Sequence, residues 1–431
     1  MQEQTFKNIL DEISINIPKY RRMIFKILII GLVVGESNKC ISSIYRMFEF
    51  FLLSMGVSRR RFYEFLQSGK IPLSGVWKIL FSMFGDTLKT SGRIILLLDD
   101  TTYGKSGKKI EGCDTHYDHA SKINSSKYIH GQCRVVLGIL VFIHNRWACL
   151  PIKNALYRLK KSVNKEQFMT KIEIGAKLIK ETMEELSGNI LIVTDSWFGN
   201  KSLARKIGFE IMNRFNILTR LRIDSILYSN NVEHTGRRGR KSKYGKKLPK
   251  LVELAKTLER KRDIFNVYGK ERKVEYSEFT AMHKGFMRQV KIILVYSKNR
   301  HVFPIFTTDL SLSVKDIVEY YSARWKIESG FKELKHELGA IDNQARKINS
   351  VENHFSLCLI AQTSVWLYAL KQTKAPSRKY ASAKSNIFTF GDVRRKIAFE
   401  FHEDPIFKVT CSKAIKSIEK ILLLLFLCRA T

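Results

Sequence analysis

The stretch Arg93–Asp100, RIILLLDD, is a continuous apolar run that ends in two carboxylates. Runs of this length with polar flanks are typical of a strand that is buried on both faces of a sheet. A second run of the same kind, NILIVTD, occupies Asn189–Asp195 and also ends in an aspartate. Because active sites of α/β folds gather at the ends of such strands, these aspartates are the first candidates for functional residues.

The segments around these two strands predict their neighbours in a sheet. The predicted elements are a hairpin of Gln132–Ile143 and Arg146–Lys153 turning at His144 and Asn145, a helix at Asn164–Leu186, a short helix at Asn200–Ile207 capped by Ser196, and a strand at Phe209–Arg222. The resulting order is strand, hairpin pair, helix, strand, helix, strand. This order predicts an α/β fold with an RNase H-like mixed sheet flanked by helices.

The stretch Thr307–Leu338, TTDLSLSVKDIVEYYSARWKIESGFKELKHEL, begins with a short extended segment and continues as a long helical pattern. On a helical wheel, one narrow stripe carries Tyr321, Arg324, Glu328 and Lys335. An apolar stripe lies beside it, which puts Glu328 at the margin of the buried face. The opposite side, which we expect to face water, carries Lys326, Ser329, Glu333 and Glu337. Taken alone, Arg324 and Glu328 could also form a simple surface ion pair.

Pattern and composition divide the chain into five regions. They are a helical, DNA-binding region at 1–90, the first part of the RNase H-like catalytic domain at 91–223, a basic β-rich insertion at 224–300, the remainder of the catalytic domain at 301–372, and a helical C-terminal region at 373–431. Strands are predicted in the insertion at Lys273–Thr280 and Gln289–Ser297. Helices are predicted beyond it at Val351–Leu370, Ile387–Phe401 and Ser412–Cys428.

The formal net charge of +35 is the outlying property of the composition. A chain with this charge favours a polyanionic partner, with nucleic acid as the first candidate and an anionic membrane surface as the alternative. The insertion contains the run Gly236–Lys250, GRRGRKSKYGKKLPK, which has no acidic residue. Such a run is either a solvated loop or a segment that follows a phosphate backbone. Its candidate DNA-binding residues are Arg237, Arg238, Arg240 and Lys241.

A second candidate for DNA contact lies near the N-terminus. Ser42–Leu53 and Ser58–Gly69 are two helical patterns joined by a glycine-containing turn, and Arg59, Arg60 and Arg61 fall in the first turn of the second helix. A helix–turn–helix with basic residues at this position suits contact with a DNA backbone or groove. Many helical hairpins share the pattern, so the charge of the chain carries most of this interpretation.

Membrane and disulfide classes are disfavoured. The apolar runs Met23–Val34 and Ile421–Cys428 are shorter than a bilayer-spanning helix, and the N-terminus lacks the basic region of a signal peptide. The seven cysteines are scattered and form no CxxC pair. We therefore expect a cytoplasmic protein with no membrane partner. The loop at Gly104–Gly107 lacks the spacing of a phosphate-binding loop, so no nucleotide cofactor is expected.

Three carboxylates from distant stretches, Asp100, Asp195 and Glu328, are the candidate catalytic residues. Brought together, they would repel one another unless a cation lay between them. Oxygen ligands without cysteine or histidine favour Mg²⁺ or Mn²⁺, and two such ions can activate and stabilise the oxygens of a phosphoryl transfer. With the basic surface, this chemistry predicts metal-dependent phosphoryl transfer on double-stranded DNA.

The spacing Y-x2-R-x3-E-x6-K at Tyr321, Arg324, Glu328 and Lys335 resembles the signature of the IS4-type (IS4/IS701-like) DDE transposases. DDTT at Asp99–Thr102 and TDSWFGN at Thr194–Asn200 are similar to the two aspartate strands of that family, and the likeness spans roughly residues 93–370. It implies that Asp100, Asp195 and Glu328 hold the metals, that Arg324 and Lys335 grip phosphates, and that Tyr321 packs on or hydrogen-bonds the DNA backbone. Asp99 competes with Asp100 for the first position, and Asp100 is preferred because the family's aspartate directly precedes the threonine pair.

The resemblance implies a DNA transposase that cuts at transposon ends and joins the freed 3′-hydroxyl to target DNA, acting as a homodimer near the bacterial nucleoid. The alternatives are an RNase H-like nuclease without strand transfer and a domesticated DNA-binding protein. Some relatives hold a flipped base with a tryptophan in the insertion, whereas no tryptophan lies between Asp224 and Arg300 here. We expect Trp197 and Trp325 to serve in packing, and His116, His119 and His130 to be loop or surface histidines.

Overall fold

The computed structural model describes most of the chain, and all structural statements refer to that part. The described residues are 4–36, 38–69, 71, 73–107, 109–118, 123–208, 214–231, 243–297, 301–379 and 386–403. Within them, an 11-stranded mixed sheet is flanked by helices. The helices are α1 Phe6–Ile13, α2 Lys19–Val34, α3 Ile41–Met47, α4 Glu49–Ser54, α5 Arg59–Gln67, α6 Leu73–Phe84, α7 Lys171–Glu185, α8 Lys201–Ile207, α9 Leu251–Thr257, α10 Val314–Ala323, α11 Lys326–Lys332, α12 Ile348–Lys371 and α13 Phe390–Glu403. The strands are β1 Arg93–Gly104, β2 Asp114–Tyr117, β3 Tyr128–Ile143, β4 Arg146–Tyr157, β5 Asn189–Thr194, β6 Phe215–Arg220, β7 Leu227–Tyr228, β8 Lys261–Val267, β9 Lys270–His283, β10 Arg288–Tyr296 and β11 Val302–Thr307.

The centre of the sheet is β1, as its apolar run predicts. Its residues from Ile94 to Leu98 are buried, and the strand pairs antiparallel with β3 and parallel with β5. Strand β6 continues the sheet parallel to β5, while β4 pairs with the outer side of β3. The order β4-β3-β1-β5-β6 is therefore that of an RNase H-like sheet, and the predicted fold class is confirmed.

The hairpin of β3 and β4 turns at His144 and Asn145, as predicted. Both residues have positive φ angles, 45° and 59°, which matches the tight turn that follows the right-handed twist of paired strands. Both strands extend beyond the predicted ends, because the polar segments on either side also pair. The short strand β2 pairs with the start of β3, in a stretch where no strand was predicted.

Two helices begin later than their apolar patterns suggest, since the capping residues lie further along. Helix α7 starts after Thr170, whose side chain accepts from the Glu173 backbone N–H while Glu173 reaches back to the Thr170 N–H. Helix α8 starts after Asn200, whose Oδ1 accepts from the N–H groups of Ser202 and Leu203. The prediction that Ser196 caps this helix is therefore wrong.

The strands between β6 and α10 extend the same sheet. Strand β11 pairs antiparallel with β6, and β10, β9 and β8 follow in turn, with β7 at the far end of β9. The strands predicted at Lys273–Thr280 and Gln289–Ser297 are observed as parts of β9 and β10. Because the pairing is continuous, these strands are joined to the central sheet by backbone hydrogen bonds rather than by a flexible connection.

The long helix predicted at the end of the sheet is present but irregular. It consists of α10, α11 and a π-helical turn at Glu333–Glu337, with a tightened turn at Arg324 and Trp325 between the first two. The side expected to face water is also partly covered, since the Glu333 carboxylate accepts from Gln362 Nε2 of α12 at 2.6 Å. A wheel with a constant angle per residue fails here because it assumes a regular helix and no neighbour on the polar side.

The N-terminal helices pack on the nearly fully buried α12. Helices α1, α2, α5 and α6 all contact it, so the helical region and the sheet share one hydrophobic core. The single helix predicted at Ser42–Leu53 is observed as α3 and α4, because Phe48 leaves the helical conformation at φ −115° and ψ 13°. The helix predicted at Ser412–Cys428 lies outside the described residues.

Candidate active site

Two aspartates lie at matching positions of neighbouring parallel strands. Leu98 of β1 is in register with Thr194 of β5, so the next residues, Asp99 and Asp195, lie at the same level, where β5 ends and β1 continues to Gly104. Side chains at matched positions of paired strands point to the same face. One Asp195 oxygen, Oδ1, accepts from the backbone N–H groups of Trp197 and Phe198 at 3.1 and 2.9 Å, which fixes the carboxylate in the turn after β5.

The helix after the sheet brings a third carboxylate to this point. Arg324 lies between α10 and α11 and donates from Nη1 to Asp99 Oδ2 and from Nη2 to Glu328 Oε1, each at 3.2 Å. The three side chains are 13%, 18% and 30% exposed, so the cluster is largely shielded from water yet open to a ligand. The structure therefore brings Asp99, Arg324 and Glu328 into direct contact.

The pKa values of these carboxyl groups report how close the negative charges are. Burial, assisted by the charge of Asp195 and opposed by the attraction of Arg324, raises the pKa of Asp99 to about 7. Burial also raises the pKa of Glu328, again opposed by Arg324 and assisted by Asp195. Asp195 thus acts on both partners, and the three acidic groups form one electrostatic cluster around the guanidinium.

Asp100 points away from this cluster. Its Oδ2 accepts from Lys171 Nζ of α7 at 2.8 Å and lies 3.5 Å from the Cys133 thiol. Adjacent residues of a strand face opposite sides, so β1 can present either Asp99 or Asp100 to Glu328, but not both. In the described contacts, Asp99 is connected to Glu328 through Arg324. Asp100, the predicted first metal ligand, pairs instead with the Lys171 amine on the other face of β1.

The remaining residues of the predicted stripe line the same side of the helix. Tyr321 is close enough to Arg324 for its phenol to influence the arginine: burial alone would lower the pKa of Arg324, but Asp99, Tyr321 and Glu328 raise it. Lys335 reaches β1, where its Nζ donates to the Thr102 carbonyl at 3.1 Å. Arg324 and Lys335 therefore reach β1 at Asp99 and Thr102, Glu328 pairs with Arg324, and Tyr321 packs on Phe303 of β11.

Lys171 is the residue near the site that sequence analysis missed. It bonds Asp100, and its amine lies 5.4 Å from the ring centre of Tyr157 and 5.8 Å from that of Trp197. Burial would lower its pKa, but Cys133 and Asp100 together raise it. The capping-box sequence Thr170–Glu173 was the available signal, because it puts Lys171 at the first position of α7, beside the ends of the sheet.

The two tryptophans beside the site are not packed in the core. Trp197 is 51% exposed and Trp325 is 48% exposed. Trp197 lies two residues after Asp195, and Trp325 directly follows Arg324, so both are close in sequence to residues of the cluster. The expectation that these side chains serve in packing stays a prediction: the Trp197 ring packs edge-on against Phe198 at a centroid distance of 4.8 Å, while about half of each indole remains accessible.

The histidines do not form a metal site in the described residues. His116 lies in β2, where it is buried with its Nε2 unpartnered, contrary to the expectation of a loop or surface position. His130 is exposed in β3, and His119 lies outside the described residues. In the part of the chain that the structure describes, no group of three histidine, cysteine, aspartate or glutamate side chains is preassembled as a metal site.

The candidate DNA-binding arginines of the N-terminal region are accessible. Arg59, Arg60 and Arg61 are exposed at the start of α5, after a turn in which Gly56 has a φ of +67°. Ser58 occupies the N-cap position but makes no side-chain capping hydrogen bond, and Arg60 pairs with Glu64 at 2.7 Å. The residues Arg237, Arg238, Arg240 and Lys241 lie outside the described residues. Over the described residues, none of the helices is long and apolar enough to cross a membrane.

Comparisons with known proteins identify the family. The search of curated proteins gave no match. One solved structure with a likeness to the chain is a piggyBac transposase synaptic complex with hairpin DNA, at 10% sequence identity and a TM-score of 0.40, covering 98% of this chain and 81% of that one. The sequence model of the family described as "DDE superfamily endonuclease" matches residues 14–280, more than half of the chain. The protein therefore belongs to the DDE superfamily endonuclease family.

Proposed function

We propose that the protein is a DNA transposase that cuts DNA at the ends of a mobile element and joins the freed 3′-hydroxyl to target DNA. The observation that carries the proposal is the junction of Asp99 and Glu328 through Arg324, next to Asp195. Membership of an endonuclease family and a net charge of +35 support DNA as the substrate. The spacing of Tyr321, Arg324, Glu328 and Lys335 supports an IS4-type enzyme.

Asp99, Asp195 and Glu328 are the residues that would hold divalent metal ions, which DDE superfamily endonucleases generally use. The donor set fits: the three side chains offer only carboxylate oxygens, the ligands that Mg²⁺ and Mn²⁺ prefer. The raised pKa values of Asp99 and Glu328 also fit, because acidic groups crowded in a partly buried site are stabilised by added positive charge. Bound there, two such ions would polarise the scissile phosphate and its attacking and leaving oxygens.

This assignment replaces Asp100 by Asp99 as the first metal ligand. Asp100 is neutralised by Lys171 on the opposite face of β1, whereas Asp99 shares a cation with Glu328. Arg324 and Lys335 would hold the phosphates on either side of the cleaved bond. Tyr321 would support Arg324 and contact the backbone. The exposed Trp197 and Trp325 would border the DNA where it leaves the site.

The wider proposal includes partners that the chain itself does not contain. A synaptic complex needs two DNA ends in one assembly, and a homodimer is the simplest way to provide two such sites. Arg59, Arg60 and Arg61, together with Arg237, Arg238, Arg240 and Lys241, would supply phosphate contacts away from the cleaved bond. A DNA enzyme of this charge would act at the bacterial nucleoid.

The test is incubation of the full-length protein with DNA carrying the borders of its own gene, with Mg²⁺ or Mn²⁺, resolving each product strand. We expect 3′-end cleavage and, with target DNA, joined products. Asp99→Asn, Asp195→Asn and Glu328→Gln should each reduce cleavage by about a thousandfold or more while retaining DNA binding. Asp100→Asn should keep cleavage, and the exposed Asp86→Asn serves as a neutral surface control.

The outcomes separate the candidates. Cleavage without joined products would identify a nuclease. Loss of cleavage in Asp100→Asn with retention in Asp99→Asn would overturn the ligand assignment. Binding to DNA with no cleavage by the wild-type protein under any divalent ion would indicate a DNA-binding protein without this chemistry.

A further inference from the structure

Arg324 occupies the position in the cluster where positive charge is needed most. Its two terminal nitrogens each contact a different carboxylate, Asp99 and Glu328, and it is the only cation that a hydrogen bond in the described residues joins to both. Two carboxylates that share a partly dehydrated site repel each other strongly unless a cation lies between them. The guanidinium therefore offsets the repulsion between the Asp99 and Glu328 carboxylates, as a bound divalent ion would.

The hydrogen bonding of Arg324 is incomplete for a permanent structural ion pair. Both contacts are 3.2 Å, longer than the 2.7–2.9 Å that charge-assisted hydrogen bonds usually reach. Its Nε is buried and has no hydrogen-bond partner, although a guanidinium has five N–H donors to satisfy. An arginine held in this way has unused hydrogen-bonding capacity, so a partner that offers shorter contacts can compete with its present ones.

The backbone at Arg324 also differs from a rigid helix. Arg324 directly follows α10, and the next N–H, from Trp325, bonds three residues back to Ser322 at a long 3.4 Å before α11 begins. A tightened turn of this kind inside a helical rod often marks a point of adjustment. Arg324 therefore lies at the junction of two helices and not inside a continuous one.

We propose that Arg324 is an internal counter-cation that holds the carboxylate cluster together in the metal-free protein and leaves it when divalent ions bind, becoming available to a DNA phosphate. The inference rests on the proposed function, since it takes Asp99 and Glu328 as the metal ligands. It adds a competition: in the absence of DNA, ions must displace the arginine, so they bind less tightly than the carboxylates alone would allow. Once displaced, the guanidinium binds the phosphate, so DNA and metal ions strengthen each other's binding by the same factor.

The competition predicts an unusual effect of removing a positive charge. Arg324→Gln should bind Mn²⁺ about tenfold more tightly than the wild-type protein in the absence of DNA, as measured by electron paramagnetic resonance of free Mn²⁺. Addition of a DNA duplex should tighten Mn²⁺ binding to the wild-type protein by about tenfold but should leave Arg324→Gln nearly unchanged. Without metal ions, Arg324→Gln should have a lower melting temperature than the wild-type protein. Added Mn²⁺ should restore the melting temperature of the variant.

Two further variants serve as controls for Arg324→Gln. Arg220→Gln removes the same charge from the neighbourhood, since the Arg220 guanidinium lies 4.4 Å from the Phe303 ring centre and Phe303 packs on Tyr321. It should raise Mn²⁺ affinity much less than Arg324→Gln does. Arg324→Lys keeps the charge but offers only a point contact, so its Mn²⁺ affinity should fall between those of the wild type and Arg324→Gln. It also provides the comparison if the glutamine variant does not fold.

The experiments distinguish a failure of this inference from a failure of the proposed function. Equal or weaker Mn²⁺ binding by Arg324→Gln, with binding still abolished by Asp99→Asn, would overturn the counter-cation and leave the proposed function intact. Unaltered Mn²⁺ binding in both Asp99→Asn and Glu328→Gln would mean that these residues hold no metal, and would overturn the metal site and the inference together. If Arg324→Gln binds Mn²⁺ tenfold more tightly and DNA tightens that binding further, the arginine competes with the metal but makes no phosphate contact. That result would overturn the coupling between DNA and metal binding.

Discussion

Two neighbouring aspartates on one strand have different surroundings. Asp99 pairs with Arg324, which also holds Glu328, and lies near the charge of Asp195, while Asp100 pairs with Lys171 and lies beside the Cys133 thiol. The pKa of Asp99 rises to about 7 because burial and a like charge outweigh one arginine. Strongly shifted acids in an accessible site are typical of functional positions, although buried structural networks can produce the same shift.

Glu333 is an example of a structural network with the same kind of shift. Burial against α12 raises its pKa to about 7, despite the Gln362 hydrogen bond and the nearby charges of Arg146 and Lys326. The folded protein then binds a proton that the unfolded chain releases between about pH 4.5 and 7. Because the folded pKa is the higher one, this residue favours folding below that window and loses its contribution as the pH rises through 7.

Glu333→Gln should remove that pH dependence, since glutamine stays neutral and can still accept from Gln362. Between pH 5 and 7.5 the wild-type protein should lose on the order of 2 kcal/mol of stability relative to the variant. Urea unfolding of both proteins at the two pH values measures the difference, and the other acidic groups cancel in the comparison. A pH slope shared by both proteins would show that Glu333 is ionised in the folded state.

At the scale of the element, the turn after β5 is built around a close contact that admits no side chain. A Cβ on Gly199 would lie 2.1 Å from Thr219 Oγ1, whose hydroxyl donates to the Asp195 carbonyl at 2.8 Å. The turn also carries the two N–H groups that bind the Asp195 carboxylate. The packing of β6 against this glycine therefore positions a proposed metal ligand.

Gly199→Ala should push Thr219 and the turn apart. We expect a loss of about 1–3 kcal/mol in the free energy of unfolding, as is usual when an extra carbon enters a filled site. Cleavage should fall by more than the loss of folded protein explains, because Asp195 moves with its turn. Gly69→Ala is the matched control, since its Cβ would meet only Asn349 Nδ2 at 3.8 Å. Normal cleavage by folded Gly199→Ala would contradict this positioning role.

At the scale of the whole molecule, the sequence predicts features that depend on one strand or one helix. The apolar runs before Asp99 and Asp195 predicted β1 and β5, and their order predicted the RNase H-like sheet. Which of Asp99 and Asp100 is joined to Glu328 could not be predicted, because it depends on which face of β1 the helix with Glu328 covers. The burial of Glu333 could not be predicted for the same reason, because it depends on α12, a neighbouring element distant in the sequence.

The net positive charge is a property of the whole chain, whereas DNA binding depends on basic residues at particular positions. Of the exposed basic residues, Arg59 and Arg61 lie in the first turn of α5, and Lys177 and Lys180 lie on the outer side of α7. Each pair carries two positive charges, so neutralising either pair changes the net charge of +35 equally. Only residues that touch phosphates release counterions on binding, so net charge alone cannot reproduce a difference between the two pairs.

The variant Arg59→Gln/Arg61→Gln should lower the slope of log binding constant against log salt concentration by about 1.8, or about 0.9 for each lost phosphate contact. Lys177→Gln/Lys180→Gln should leave the slope nearly unchanged. Fluorescence anisotropy with one labelled duplex, over a series of salt concentrations, measures both slopes. Because Arg60 is paired with Glu64, it is kept in both variants to preserve α5. Equal slopes for the two variants would mean that the N-terminal helices do not contact the DNA and that the charge attracts it only as a diffuse field.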